Sequence, residues 1–146
     1  MSEPHVAIVT SRFNQPVTEE LYTGAFDTLS KTLPKDNIKA WWVPGAVEIP
    51  IVVQRLARLR RFDAIIALGA VVRGETPHFD YVCEQVSQGC QQIMLAEDCP
   101  IIFGVLTTDN AEQAYARLGG DKGHKGVEAA ETALAMIQLL REIESQ

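Results

Sequence analysis

Apolar residues along this chain come in two patterns. Four short runs, His5–Thr10, Ile38–Val43, Ala64–Val72 and Pro100–Leu106, are rich in β-branched or aromatic side chains and nearly free of charge. Unbroken apolar runs of this length predict strands covered on both faces, as in a parallel sheet. Between them the apolar positions recur at helical spacing. Val17, Leu21, Ala25 and Leu29 repeat every four residues, and Pro16 suits a first helical turn, where its missing N–H is not needed. Ile49, Val52, Leu56 and Leu59 form a second stripe, and Val82, Val86, Cys90 and Ile93 or Met94 a third. A short fourth helix is predicted after Thr108 or Asp109, either of which can cap it, with Glu112 three residues beyond Asp109. Gly119 and Gly120 are expected to end it. A last helix is predicted from about Gly126 to Glu144, with Val127, Ala130, Leu134 and Ile137 on one face.

The order β-α-β-α-β-α-β-α-α implies right-handed crossovers and a parallel sheet with helices on both sides. No linker-like stretch, low-complexity segment or internal repeat is visible, so residues 1–146 are read as one domain. The expected fold class is α/β: a three-layer α/β/α, flavodoxin-like domain with a four-stranded parallel sheet. Trp41 and Trp42 are adjacent on the second strand, so one is expected on each face, both in the core. Ala129, Ala130, Ala133 and Ala135 spread small side chains around the last helix. That suits either high helix propensity or close packing against helices of another copy.

Composition narrows the function. With 47% hydrophobic and 22% charged residues, the chain is neither disordered, collagen-like nor a coiled coil. At 146 residues it can bury roughly two thirds of its unfolded surface, so no disulfide or metal staple is needed. Thirteen basic against nineteen acidic residues leave a net charge of −6, which argues against a general nucleic-acid binder but leaves room for a local anion site. Cys83, Cys90 and Cys99 show no zinc or dithiol spacing and read as reduced thiols of a cytoplasmic protein, with no metal. The N-terminal residues show no basic-then-apolar signal, and no apolar run approaches the roughly 18 residues a membrane span requires. A soluble protein with no membrane partner is expected.

Each predicted strand is followed by a segment more specialised than a connection requires: Ser11–Asn14, Pro44–Pro50, Arg73–Asp80 and Thr107–Asn110. In a parallel sheet all of them lie at the carboxyl edge, where open α/β sheets bind ligands. His78 would sit at the start of the third helix. An isolated histidine there is a surface or capping residue; beside a Gly-Glu-Thr turn at a strand end it also suits acid/base work. Gly74, Glu75 and Thr76 either turn backbone N–H groups toward an anion or form an ordinary strand-to-helix turn. Arg117, Lys122 and Lys125 are candidate cations for such an anion, near the glycine-rich run from Gly119 to Gly126. That run lacks the register of a Walker loop and can equally be a helix–helix hinge. Phe13 either stacks on a planar heterocycle or closes the sheet end as a core aromatic. Glu48 is favoured by the dipole of the helix it begins, and it can also accept hydrogen bonds from ligand N–H groups. His5, at a strand start, and His124, in the glycine-rich loop, have weaker cases.

Taken together, the segments SRFN, WVPGAVEIP, DAIIALGAVVRGETPHFDYV, IIFGVLTTDNAEQA and GHKGVEAAETALAMI resemble the 6,7-dimethyl-8-ribityllumazine synthase family, in its order and spacing, over nearly the whole chain. The resemblance implies condensation of 5-amino-6-(D-ribitylamino)uracil with 3,4-dihydroxy-2-butanone 4-phosphate, without metal or organic cofactor. By the family pattern Phe13 stacks on the pyrimidine, and Ala46, Val47 and Glu48 hold the uracil and ribityl groups. Ala70, Val71 and Val72 form a further pyrimidine-side wall. Glu75 and Thr76 form the phosphate-binding turn, chiefly through backbone groups, and His78 transfers protons. Phe103, Arg117 and Lys125 match contacts that a neighbouring subunit supplies, with Arg117 on the phosphate. A homopentamer with sites between subunits is therefore implied.

Two features depart from that pattern. Many relatives carry a small residue at the position of Glu75. A carboxylate beside phosphate would repel it, so the side chain is expected to point outward. The first predicted strand begins at His5, whereas shell-forming relatives often have a longer N-terminal arm. The expectation is thus a pentamer, with stacked pentamers or a shell left open. Two other functions suit the same fold: a non-catalytic flavin or lumazine binder, and an electron carrier or phospho-receiver. His78 and Arg117 favour the enzyme over the binder. Ser11 and Arg12 stand where a receiver needs an acidic pair.

Overall fold

The computed structural model describes residues 2–146; Met1, the first residue of the segment read for a signal, lies outside them. The elements run β1 (Val6–Ser11), α1 (Gln15–Ser30), β2 (Ile38–Val43), α2 (Ile49–Arg58), β3 (Ala64–Val72), α3 (His78–Glu97), β4 (Ile101–Thr108), α4 (Ala111–Tyr115), β5 (Leu118–Gly120), β6 (Gly123–His124) and α5 (Lys125–Glu144). β1 to β4 form one parallel sheet in the order β2-β1-β3-β4. The chain steps from β1 outward to β2, then crosses back over β1 to β3 and on to β4. Crossovers of one hand then require α1 on one face and α2 and α3 on the other. The packing follows this rule. Leu21 and Leu29 of α1 and Ala130 and Ile137 of α5 meet Ile8, Ile66 and Leu68 on one face. Ile49 and Val53 of α2 and Val86 and Cys90 of α3 meet Val9, Ile65 and Ala67 on the other.

The central strands bear out the two-sided burial read from their apolar runs: β1 is buried throughout, and β3 from Ala64 to Ala70. Each fully buried Ile or Leu there contributes roughly 1.5–3 kcal/mol. The edge strand β2 departs from it, with Lys39, Ala40 and Trp41 exposed. An edge strand has one neighbour and no helix over its outer margin, so the aromatic pair is not wholly in the core. Trp42 lies half-buried against Tyr22 of α1, whereas Trp41, 39% exposed, meets the edge of the Phe62 ring. The two rings do fall on opposite faces.

Three local readings are corrected. The stripe of α2 is Ile49, Val53, Leu56 and Ala57; the helix stops at Arg58, so Leu59 turns away and is exposed. The cap of α4 is Asn110, whose Oδ1 accepts from the Gln113 N–H at 2.8 Å. Thr108 and Asp109 are otherwise engaged, the former donating to Asn110 O and the latter bound to Arg73. The glycine-rich run is an antiparallel hairpin, β5 with β6, where Gly119 and Gly123 take positive φ. Its glycines do not end α4, which stops at Tyr115. Within α5, Ala129, Ala130 and Ala133 are buried in this chain's own core and Ala135 is exposed. Ala129, Ala130 and Ala133 therefore serve intrachain packing against the sheet and α1. None of the described helices is long and apolar enough to cross a membrane.

Candidate active site

Strand order reverses at β1, so the crevice between the carboxyl ends of β1 and β3 is where a ligand finds room. Three strand exits shape it. Beyond β1, the N–H groups of Arg12 and Phe13 donate to Val43 O and Pro44 O at 2.8 and 3.0 Å, tying this exit to that of β2. Asn14 takes φ 63°, a left-handed conformation that asparagine tolerates, and its Nδ2 donates to Ala70 O at 2.8 Å. Phe13 is thereby held out from the sheet edge and is 70% exposed, which excludes the core-aromatic reading.

Beyond β2, Gly45 is extended and Ala46–Glu48 make a single 3-10 turn into α2. The exposed Glu48 carboxylate folds back over Gly45, where a Cβ would stand 3.1 Å from Oε1. Beyond β3, the Arg73 N–H donates to Thr108 O at 2.8 Å, so β3 and β4 leave the sheet together. Gly74 to Pro77 turn in the open. The exposed His78 begins α3, and its backbone N–H donates to Thr76 Oγ1 at 3.4 Å.

The exits enclose a cleft of about 570 Å³. Phe13 forms one wall, Gly45 to Glu48 a second, and Ala70, Val71 and Val72 a third; Gly74, Thr76, His78, Phe79 and Val82 close it. Apolar walls suit a planar ring, Glu48 is an acceptor at the rim, and His78 offers a proton-transferring ring beside a turn at a helix start. The fourth exit, after β4, lines none of the cleft but braces it. Asp109 accepts from Arg73 Nε at 2.9 Å, Asp80 lies 3.6 Å from the same guanidinium, and Arg73 covers the Phe79 ring at 4.4 Å. The hydrogen bond to Asp109 is the chief cause that raises the Arg73 pKa.

A family model for 6,7-dimethyl-8-ribityllumazine synthase matches residues 3–141. A curated protein of that description from Coxiella burnetii (strain Dugway) is 54% identical over 140 residues, covering 95% of this chain and 93% of the relative. Its counterparts in two further strains of that organism are 53% identical over the same length. The chain belongs to the 6,7-dimethyl-8-ribityllumazine synthase family. Its flavodoxin-like α/β architecture is that of this synthase family.

Of the residues that the lumazine synthase resemblance singled out, Phe13, Ala46, Val47, Glu48, Ala70, Val71, Val72, Thr76 and His78 meet at the one cleft. Glu75 is exposed and is not on its lining. Phe103 and Lys125 stand elsewhere, in a groove of about 510 Å³ between β4 and α5. Arg117 lines neither; its Nη1 donates to Gln113 O at 2.9 Å. Sequence reasoning missed Phe79 and Val82 as lining and Arg73 and Asp109 as braces. Val82 carried a readable signal, since it lies four residues after His78 on one helix face.

Proposed function

We propose that the cleft at the carboxyl edge of the sheet is the reaction site, that His78 transfers its protons, and that a second copy of the chain completes it. The reaction is the condensation of 5-amino-6-(D-ribitylamino)uracil with 3,4-dihydroxy-2-butanone 4-phosphate to 6,7-dimethyl-8-ribityllumazine, phosphate and water, a step of riboflavin biosynthesis. The uracil amine attacks the ketone, and the carbinolamine loses water to give an imine. Phosphate then leaves, and the ring closes with loss of a second water. Each stage moves a proton, which the His78 imidazole can take up or give back. Holding both substrates in register is itself worth several kcal/mol, because the amine and ketone are reactive without help.

The convergence of Phe13, Glu48 and His78 on one cleft carries this reading. Phe13 stacks on the pyrimidine. Ala46, Val47 and Glu48 bind the uracil and ribityl groups, and Ala70 to Val72 supply the wall behind. Thr76 and the backbone at Glu75 receive the phosphate at the start of α3, where the helix dipole favours an anion.

Charge argues for the second copy. The guanidinium nearest the turn, Arg73, is held by two carboxylates. Arg117 and Lys125 stand away from the cleft in their own chain. By the family pattern, Phe103, Arg117 and Lys125 are then contacts that a neighbouring subunit of a homopentamer supplies, with Arg117 on the phosphate. Apolar Ile51 and Tyr81 are exposed on the elements around the cleft, available to that neighbour. The working unit is one domain, residues 1–146, acting in the cytoplasm.

Mixing purified protein with both substrates and following lumazine fluorescence tests the assignment. Turnover by wild type with a large loss in His78→Ala is expected; full-rate turnover by that variant removes His78 from the mechanism. Sedimentation tests the assembly, and a fully active lone chain rejects the shared site.

A further inference from the structure

We propose that His124 is a positioning residue for Arg117 and Lys125, holding that cation pair in place only while its imidazole is neutral. The inference rests on the proposed anion-binding role of the pair and deepens it. His124 closes the β5–β6 hairpin opposite Leu118 and caps α5. Its Nδ1 accepts from the N–H groups of Gly126 and Val127 at 3.1 and 3.3 Å. A ring nitrogen that accepts two N–H groups carries a lone pair, so the geometry assigns a neutral imidazole with its proton on Nε2. The ring is wedged against Gly24 of α1, where even one methyl group would run into it.

The cations hang on this cap. The Lys125 N–H donates to Arg117 O at 2.9 Å, so the backbone of one fixes the backbone of the other, next to His124. The Arg117 guanidinium is steadied in turn by Gln113 O. Protonation of Nδ1 would set an N–H against two N–H groups. It would also add positive charge at a helix N-terminus, where the dipole opposes it. Both cap bonds are lost together, and the turn that carries the pair is freed.

Several charged groups stand on the elements packed against the ring. On α5 there are Lys125 and Glu128, whose Oε2 would lie 2.7 Å from a Cβ at Gly123. On α1, Glu20 and Asp27 flank Gly24 by one turn on either side. On the hairpin side are Arg117, Asp121 and Lys122. Both signs of charge are present on these elements, so no single charged partner stands in for the cap geometry.

The test uses the full chain. KM for the butanone phosphate and for the pyrimidine is measured between about pH 7.5 and about pH 5.5. Wild type is compared with His124→Asn, which offers a cap oxygen that does not titrate, and with His124→Ala, which offers none. On acidification, the phosphate-substrate KM of wild type is expected to rise roughly three- to tenfold more than that of His124→Asn, the size of effect an N-cap commands. The Ala variant is expected to be raised at both ends, and the pyrimidine KM to stay level in all three. Contributions from His78 or from the substrate's phosphate are common to wild type and His124→Asn and cancel in their ratio. An equal acid limb in the two overturns the proposal.

Hydrogen-exchange protection of the Gly126 and Val127 amides, corrected for intrinsic rates, is the second readout. It is expected to fall with pH in wild type and to hold in His124→Asn. Protection that ignores pH rejects the His124 device itself. Protection that titrates beside a flat KM ratio overturns the proposal through the role of Arg117 and Lys125 instead.

Discussion

His78 and His124 both stand at the start of a 20-residue helix, and their surroundings differ in nearly every respect. His78 is the first residue of α3; it is exposed on the cleft, and its backbone N–H is bound to Thr76. His124 lies one position earlier relative to its helix, as the cap of α5. It is half-buried, with Nδ1 committed to two amides and its ring against Gly24. A ring open to a cleft can exchange protons with a bound molecule at little structural cost. A ring whose lone pair closes a helix is committed to holding that end of the fold. Shifting one residue relative to the first turn thus separates a group suited to chemistry from one suited to scaffolding.

The largest test of this contrast is kinetic. His78→Ala is expected to lower kcat by about 10²-fold, the low end of general acid–base effects, because the amine and ketone react unaided. Its pyrimidine KM is expected to stay near wild type. His124→Ala should leave kcat within a few-fold at neutral pH. Equal kcat losses in stopped-flow fluorescence would erase the distinction. Arg117→Ala is expected next in size: losing a charge-assisted pair to phosphate costs about 1.5–3 kcal/mol, a rise of roughly 10- to 10²-fold in the phosphate-substrate KM. An equal rise for the pyrimidine would contradict a phosphate anchor.

Glycine substitutions near the two histidines sharpen the contrast on stability. A Cβ at Gly24 collides with the His124 ring, so Gly24→Ala should cost about 1–3 kcal/mol in urea unfolding. A Cβ at Gly74, on the turn before His78, meets nothing within 4 Å. Gly74→Ala should therefore change stability by no more than about 0.5 kcal/mol. Similar midpoints for the two variants would show that the α5 end is not tightly packed.

The same contrast explains what was legible in the sequence. The apolar runs of β1 and β3 and the stripe of α1 report burial directly, and they recur in the structure almost residue for residue. The cleft was legible because three strand exits in one parallel sheet must share an edge. Local competition was not legible. Thr108, Asp109 and Asn110 can all cap a helix, and the choice fell to Asn110 because Arg73, from a distant segment, takes Asp109. In sequence, Gly119 to Gly126 suits either a flexible segment beside candidate anion-binding cations or a helix–helix hinge. It becomes a hairpin because His124 can seat its ring on Gly24, a residue 100 positions away. Long-range packing of this kind leaves no local pattern to read.

A smaller test concerns the buried faces of the two helices. α5 packs with alanines, whereas α3 carries Cys90 inward and is followed by Cys99. Burial pushes both thiols up to about 11 from an ordinary value of 9.0. The unfolded chain ionises these thiols near the ordinary value while the folded chain keeps them neutral. Their contribution to stability is therefore complete below about pH 9 and is lost as pH rises toward about 11. Urea midpoints at about pH 8 and pH 10 should fall more steeply in wild type than in a Cys90→Ala, Cys99→Ala double variant. The alanine substitutions lower stability at both pH values through lost packing, so the slope between them is what discriminates. An unchanged slope would mean that the α3 side of the sheet opens to solvent before the thiols ionise, and the contrast between a thiol-bearing buried face on α3 and an alanine-packed one on α5 would not hold.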